Sequence, residues 1–358
     1  MNALVVGAGP SGAQIARLLA KQGYDVELFE EHVQVGRPIA CTGIVTRALF
    51  EFLPKDESYI VNELRAVRIF SPSGKTLEIP MHEYVICREK FDTWMVRRAQ
   101  DAGVKLHLRH KFVEAKDNKA KFKNGERSIE KEFDILIGAD GPFSAVARSA
   151  GLLEGRQYYI GSQATVKGEF EPNVFLTFFG KCAPGFFAWA VPEGKNLSRV
   201  GVASKKHVHV FFDMLREQFG GEIIERQAGP IPIYDGARSV QKGNIYLVGD
   251  AAGVVKNTTG GGIITGIWSA NILAMALEKG KNYSKLLRPL RKELWLHKKI
   301  RETLDKFSDD DYERLVRYMS SERVKRILAY YPREYPSRFL WRLFIAEPRF
   351  VTFARRLW

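Results

Sequence analysis

The sequence predicts an α/β protein in which a nucleotide-binding domain with a parallel sheet is interleaved with a mostly antiparallel β-sheet domain and followed by a C-terminal helical segment. Three observations predict it. The chain opens with a strand, a glycine-rich turn and a helix, "MNALVVGAGPSGAQIARLLAK". Residues 158–235 are rich in Phe, Val, Tyr and Gly with few helical periods apart from about 207–219, which indicates antiparallel strands. From 284 onward the apolar spacing is helical. At 358 residues the chain exceeds the usual size of one core, so one large or two interleaved domains are expected, with room to bury a cofactor.

Taken in order, Asn2–Val6 is a short apolar run that reads as a buried strand, and Ser11–Lys21 carries Ile15, Leu18 and Leu19 at helical spacing. Between them lie Gly7, Gly9, Pro10, Ser11 and Gly12. Gly7 allows the tight turn, Gly9 lets the backbone approach a pyrophosphate, and Gly12 lets helix and strand pack closely, so the helix N-terminus faces phosphates. Asp25–Phe29 is a second strand ending at Glu30, near the roughly 20-residue offset of a ribose-binding acid, and Glu30 is preferred over Glu31. A carboxylate there accepts ribose hydroxyls and repels a 2′-phosphate, which favours FAD or NAD over NADP at this site. Residues 64–87 read as strands around "VRIFSPSGKTLEI", followed by a helix near 91–102. Leu106–His110, Phe112–Lys116, Lys119–Phe122 and Glu132–Ile137 read as short strands, with a hairpin around Asn124-Gly125. Residues 244–248 form another buried strand, and a helix near 261–278 follows.

A hydrophobic fraction of 45% is ordinary for a soluble protein, while a net charge of +14 favours anionic partners. The basic residues gather at 286–304 and 337–358, interleaved with Leu, Phe and Trp. That pattern either coats an anionic membrane surface or packs its aromatic face on the protein itself, and no nucleic-acid partner is expected from it. Residues 260–280 approach spanning length, but their glycines favour a buried helix, and no signal peptide precedes the first strand. Cys41, Cys87 and Cys182 lack CxxC spacing, which suits a reducing compartment and no metal site. The expected location is cytoplasmic, with peripheral contact at the inner face of the membrane left open.

Two further stretches choose between FAD and NAD. "FDILIGADGPFSAVAR" (133–148) leads an apolar strand into Asp140-Gly141, and "GNIYLVGDAAGVVKNTTGGGIITG" (243–266) leads another into Gly249-Asp250 and a second glycine cluster. With the opening motif they resemble the three fingerprints of FAD-dependent oxidoreductases that share the aromatic-hydroxylase fold. The resemblance implies a Rossmann-like FAD-binding domain of the glutathione-reductase type. It gives Asp250 a hydrogen bond to the ribityl chain, Asp140 and Gly141 a supporting turn, and Gly260, Gly261, Gly262 and Ile263 a helix N-terminus aimed at the flavin pyrimidine ring.

Three more segments, "RPIACTGIV" (37–45), "VICREKFDTWMVRRAQDAGVKL" (85–106) and "APGFFAWAVP" (183–192), resemble those of geranylgeranyl reductases, including the archaeal enzymes acting on digeranylgeranylglycerol lipids. This resemblance covers about residues 1–280. It implies that Cys41 and Gly43 face the isoalloxazine as the catalytic positions, that Arg37, Ala40, Cys41 and Arg88 contact the cofactor, and that Phe187, Trp189 and Pro192 wall the prenyl chain. Cys41 reads equally as a proton donor, a flavin-edge contact or an inert thiol. Phe187 stands where Tyr is common in that family, and Val191 where Phe is usual.

The resemblance divides the chain into an FAD-binding domain (1–62, 88–157 and 237–283), a substrate-binding sheet domain (63–87 and 158–236) and a C-terminal helical region (284–358). It implies reduction of C=C bonds in the isoprenoid chains of membrane ether lipids or prenyl diphosphates, with hydride from reduced flavin. The electron donor stays open between NADPH, ferredoxin and deazaflavin. Two alternatives remain, a flavin monooxygenase of the aromatic-hydroxylase type and a membrane-surface flavoprotein that only carries electrons.

Overall fold

The structure, a computed structural model, describes residues 1–354. It divides into two compact units, one of residues 1–39, 88–157 and 232–295, the other of residues 40–87, 158–231 and 296 onward.

The first unit is built on a six-stranded sheet ordered Gln241–Lys242, Ile245–Leu247, Ile135–Gly138, Asn2–Val6, Asp25–Phe29, Lys105–His107. Apart from the short antiparallel edge at Gln241–Lys242, its pairings are parallel. The apolar run Ala3–Val6 is buried at its centre, as expected for a parallel strand covered on both faces. Helix Pro10–Lys21 follows, with Pro at its first position, and packs against the long helix Ile263–Glu278. Buried Gln14 ties the two, donating to Asn271 Oδ1 at 2.7 Å. Helix Ile263–Glu278 buries residues on every side, which explains its uniformly apolar sequence. Among the described residues, no helix is long and apolar enough to cross a membrane.

A three-stranded sheet, Lys111–Lys116, Lys119–Asn124 and Arg127–Glu132, completes this unit. The expected Asn124-Gly125 hairpin forms, with Gly125 in the left-handed region and Asn124 opposite Arg127. A second hairpin turns at Asp117 and Asn118, both with positive φ, the type I′ geometry that suits strand twist. The expected single strand Glu132–Ile137 is instead two. Arg127–Glu132 ends in the small sheet and Ile135–Gly138 enters the large one, because the chain changes sheets at Phe133 and Asp134.

The second unit holds an eight-stranded sheet ordered Glu222–Pro232, Tyr158–Lys167, Leu197–Ser204, Ala188–Pro192, Val174–Phe178, Ile60–Phe70, Thr76–Ile86, Ile44–Thr46. From Tyr158–Lys167 across to Ile44–Thr46 it is antiparallel except where Val174–Phe178 runs parallel to Ile60–Phe70. Helix Val208–Phe219 covers one part, packing Phe212 and Leu215 on Val200 and Val202. Val316, from helix Asp309–Met319, packs with Ile69, Leu77 and Ile79.

The unit boundaries differ from the sequence expectation at three places, one being residues 232–236, which group with the first unit. Residues 40–62 group with the second unit, because Ile44–Thr46 is an edge strand of its sheet and Ile60 already begins another. The C-terminal segment is shared between the units and does not stand alone, with helix Arg288–Leu304 crossing the division and the helices after it packing on the second sheet. The last four residues of the basic aromatic run 337–358 lie outside the described residues.

Candidate functional site

In the first unit, the glycine turn sits where strand Asn2–Val6 has Asp25–Phe29 on one side and Ile135–Gly138 on the other, the crevice in which open α/β sheets hold ligands. Gly7 adopts φ +98°, and a Cβ on Gly12 would stand 1.9 Å from the Gly7 carbonyl oxygen, so the turn and the helix approach as closely as backbone permits. Gly9 is different. A Cβ there would meet nothing within 4 Å. Gly9 caps helix Pro10–Lys21 without a side-chain partner, leaving that N-terminus facing open space, which suits an anion.

Glu30 closes one side of this cradle. Its Oε2 accepts from the Ala8 amide at 2.9 Å, and its Oε1 accepts from the His32 amide at 3.0 Å and faces His32 Nδ1 at 2.6 Å. Glu31 instead pairs with Lys111 at 3.2 Å on the surface, so Glu30 is the acid of the cradle. Arg37 donates from Nε to Glu89 at 2.7 Å.

Gly249 and Asp250 form a short turn beside the same helix. A Cβ on Gly249 would stand 2.5 Å from Ser11 Oγ, and one on Gly266 would stand 2.3 Å from it, so Ser11 packs between two glycines. Arg156 pins this turn, donating to the carbonyls of Asp250 at 2.9 Å and Ala251 at 2.8 Å. Among the described residues the Asp250 carboxylate makes no hydrogen bond. Burial pushes it above the usual carboxylate range, opposed by the charges of Arg88 and Arg156. Gly262 makes room for it, since a Cβ there would lie 2.5 Å from Asp250 Oδ1. Gly262 also caps helix Ile263–Glu278 with no side chain, so a second bare helix N-terminus lies beside this carboxylate. Gly260 and Gly261 shape the preceding loop through backbone bonds to Lys256.

Arg88 opens helix Arg88–Gln100 and grips Asp92 with two bonds, at 3.0 and 2.7 Å. Asp140 is spent locally. It accepts from Ser144 Oγ at 2.5 Å and the Val146 amide at 3.1 Å, holding the start of helix Ala145–Ser149 and the Gly141 turn. A dinucleotide fits this set, with two uncapped helix ends for phosphate or carbonyl oxygens, one acid beside the glycines, and one half-buried carboxylate without a donor among the described residues.

In the second unit, Cys41, Thr42 and Gly43 form a loop fixed from several directions. Cys41 Sγ accepts from the Gly43 amide at 3.3 Å, and Thr42 Oγ1 donates to Gln163 Oε1 at 3.1 Å. Arg199, only 3% exposed, donates from Nη1 to the carbonyls of Thr42 at 2.7 Å and Ile86 at 3.2 Å, while its Nε pairs with Glu193. Gly43 needs no side chain here, since a Cβ would lie 2.5 Å from Arg199 Nη1. Ala40 sits just before this loop, near Gly229.

Trp189 joins the same network, its indole N–H donating to Gln163 Oε1 at 3.2 Å. Phe187 packs edge-on against the Trp189 ring with centroids 5.7 Å apart, and stacks on Phe186 at 4.7 Å. Phe179 lies 6.0 Å from Phe187, so the expected pair belongs to a larger aromatic cluster. Pro192 ends the strand, its carbonyl accepting from Asn62 at 2.7 Å.

The structure therefore gathers Gly7 through Gly12, Glu30, Asp250 and the 260–263 loop in one unit, and Cys41, Gly43, Phe187 and Trp189 in the other. Sequence reasoning missed Arg156, Gln163 and Arg199. Only Arg199 carried a signal, a lone charge inside the apolar strand Leu197–Ser204. Among the described residues, no group of three or more His, Cys, Asp and Glu could hold a metal ion.

Residues 5–42 match the NAD(P)-binding Rossmann-like domain family. The chain is 30% identical over 361 residues to digeranylgeranylglycerophospholipid reductase 1 of Methanopyrus kandleri, covering 91% of this chain and 96% of that one. It is 31% identical over 314 residues to digeranylgeranylglycerophospholipid reductase 2 of Methanosphaera stadtmanae, covering 79% of each. Among solved structures, a geranylgeranyl bacteriochlorophyll reductase-like protein from Thermoplasma acidophilum superposes with a TM-score of 0.80 at 22% identity, covering 98% of both chains. A flavin-dependent halogenase superposes with a TM-score of 0.69 at 17% identity, covering 98% of this chain and 77% of that one.

Proposed function

The chain belongs to the digeranylgeranylglycerophospholipid reductase family, and from that premise we propose that it is an FAD-dependent oxidoreductase that saturates C=C bonds in the isoprenoid chains of ether lipids. The observation that carries the cofactor reading is Asp250, a half-buried carboxylate that accepts no hydrogen bond among the described residues, set beside the bare N-terminus of helix Ile263–Glu278. Such a group suits a polyol chain, whose hydroxyls would satisfy it.

When bound, FAD supplies the hydride that an unactivated alkene needs. The residues of this chain do the rest. The amides at the start of helix Pro10–Lys21 would hold the pyrophosphate, and Glu30 would take the adenosine ribose. The N-terminus of helix Ile263–Glu278 favours negative charge on a ring placed before it. Arg156 holds the Asp250 turn, and the charges of Arg88 and Arg156 temper the cost of the Asp250 charge. Phe187 and Trp189 offer an apolar wall to a prenyl chain, and Gln163 fixes both Trp189 and the Cys41 loop through one oxygen. Cys41 accepts from the Gly43 amide, so its sulfur is oriented within the loop, where it stands as the candidate proton donor. Glu30 disfavours a 2′-phosphate in the cradle, so NADPH, if it is the reductant, docks elsewhere; ferredoxin and deazaflavin need no cradle.

The test is mass spectrometry of lipids after anaerobic incubation with the chemically reduced holoenzyme. Geranylgeranyl ether lipids gain mass in pairs of hydrogens. Unchanged masses refute the reading, and oxidation of substrate coupled to oxygen uptake in air refutes it in favour of a monooxygenase.

A further inference from the structure

Helices Glu322–Tyr330 and Pro336–Ala346, both in the second unit, form a groove of about 400 Å³ lined by Arg323, Arg326, Ile327, Trp341, Arg342 and Ile345. The inner side of the second helix is accounted for, because Leu343 and Ala346 pack on the cluster of Tyr318, Phe350 and Phe353. Its outer side is the reverse of an ordinary solvent face. Trp341 is 51% exposed and Ile345 70% exposed, with Phe344 beside them and Tyr330 at the end of the neighbouring helix. Between these apolar side chains stand guanidinium groups. Arg342 lies over the Trp341 ring at 4.0 Å, and Arg338 over the Tyr335 ring at 4.0 Å.

The charges on this face are uncompensated. Among the described residues Arg323, Arg326 and Arg342 pair with no carboxylate. The one acid of helix Glu322–Tyr330, Glu322, is taken by Lys325 at 2.9 Å, and helix Pro336–Ala346 contains no acid at all. A second copy of the chain would bring arginine against arginine. Exposed Trp and Ile flanked by unpaired Arg match a surface with phosphates outside and hydrocarbon beneath, where guanidinium binds phosphate oxygens and indole sits at the headgroup level.

We propose that this helix pair docks the protein on an anionic phospholipid bilayer, with headgroup phosphate in the groove and Trp341 and Ile345 entering the acyl boundary. The proposal rests on the reading above that the substrate is a membrane lipid, and it says how the protein reaches it.

The test is co-sedimentation of the full-length holoenzyme with phosphatidylglycerol vesicles and, separately, with phosphatidylcholine vesicles, neither carrying isoprenoid chains. Partition onto phosphatidylglycerol should exceed that onto phosphatidylcholine by at least about tenfold and fall with added salt. The double variant Arg323→Glu/Arg326→Glu should lose at least about tenfold of that binding. Trp341→Ser/Ile345→Ser should lose it as well. All variants should keep the wild-type melting curve and full turnover of detergent-dispersed lipid. Equal binding to both vesicle types, or variants that bind like the wild type, overturns the docking face. So does a wild type that captures soluble polyglutamate through these arginines yet ignores vesicles. Failure to reduce detergent-dispersed lipid while vesicle binding persists overturns the reductase reading alone.

Discussion

Two glycines one turn apart do separable work. Gly12→Ala drives a methyl against the Gly7 carbonyl oxygen, and destabilisation of about 3 kcal/mol or more is expected from overpacking against backbone that has nowhere to move. Gly9→Ala meets no protein atom within 4 Å. It should melt like the wild type and yet purify with much less flavin, read as the ratio of absorbance at the flavin band to protein. Asp250→Asn addresses the ligand from the other side. Losing charge-assisted bonds to the polyol is expected to weaken FAD binding roughly 10- to 100-fold. The same variant alters the cofactor-free protein. Burial raises the Asp250 carboxyl in the folded state, so the folded state binds that proton more tightly than the unfolded chain. Stability therefore falls as pH rises from the ordinary aspartate range through the raised value, and stays lowered above it. Asparagine should flatten that part of the Tm against pH curve, with Asp140, raised by burial as well, leaving a residual slope. An unchanged slope would mean that Asp250 is solvated.

The elements that read clearly from sequence are those whose chemistry is local. The strand, glycine turn and helix at residues 2–21, the acid at Glu30 and the Asn124-Gly125 hairpin each depend on neighbours a few positions away. The Cys41 loop is the opposite case. Its shape is set by Arg199, 157 positions along, and by Gln163, 121 positions along, and nothing in residues 40–43 announces either. Arg156 likewise reaches a turn 94 residues away. The strand Glu132–Ile137 was misjudged because one apolar alternation runs through a change of sheet, which only tertiary pairing reveals. This dependence can be measured. Arg199→Met strands the Glu193 carboxylate and two carbonyls, with an expected cost of about 3–5 kcal/mol in urea unfolding. Arg199→Lys should recover only part, since one ammonium cannot span the same fork. Trp189→Phe keeps the ring but drops one donor to Gln163, for about 1 kcal/mol.

At the scale of the whole molecule, the net charge of +14 is concentrated where it can act, since among the described residues Arg323, Arg326 and Arg342 of the C-terminal helices pair with no carboxylate. The dinucleotide unit, by comparison, spends its charges inward, on Glu30, Asp92, Asp140 and Asp250. A competition assay separates the two. ADP should block reconstitution of the cofactor-free protein with FAD at least about tenfold better than ADP bearing a 2′-phosphate, because the Glu30 carboxylate accepts the ribose hydroxyls of the former and repels the added phosphate of the latter. Equal potency would place the ribose away from that carboxylate. The central position of Asn2–Val6 carries a further implication for biosynthesis. That strand leaves the ribosome well before its flank at Ile135–Gly138 and the turn at Asp250, which are translated much later. A released fragment ending near residue 130 should stay unstructured at its amino end and retain no adenine nucleotide. The nascent chain thus holds a sticky ribbon with one edge unpaired until Ile135–Gly138 emerges, and a folding helper that shields that edge would raise the yield of yellow protein more than one acting on the completed polypeptide.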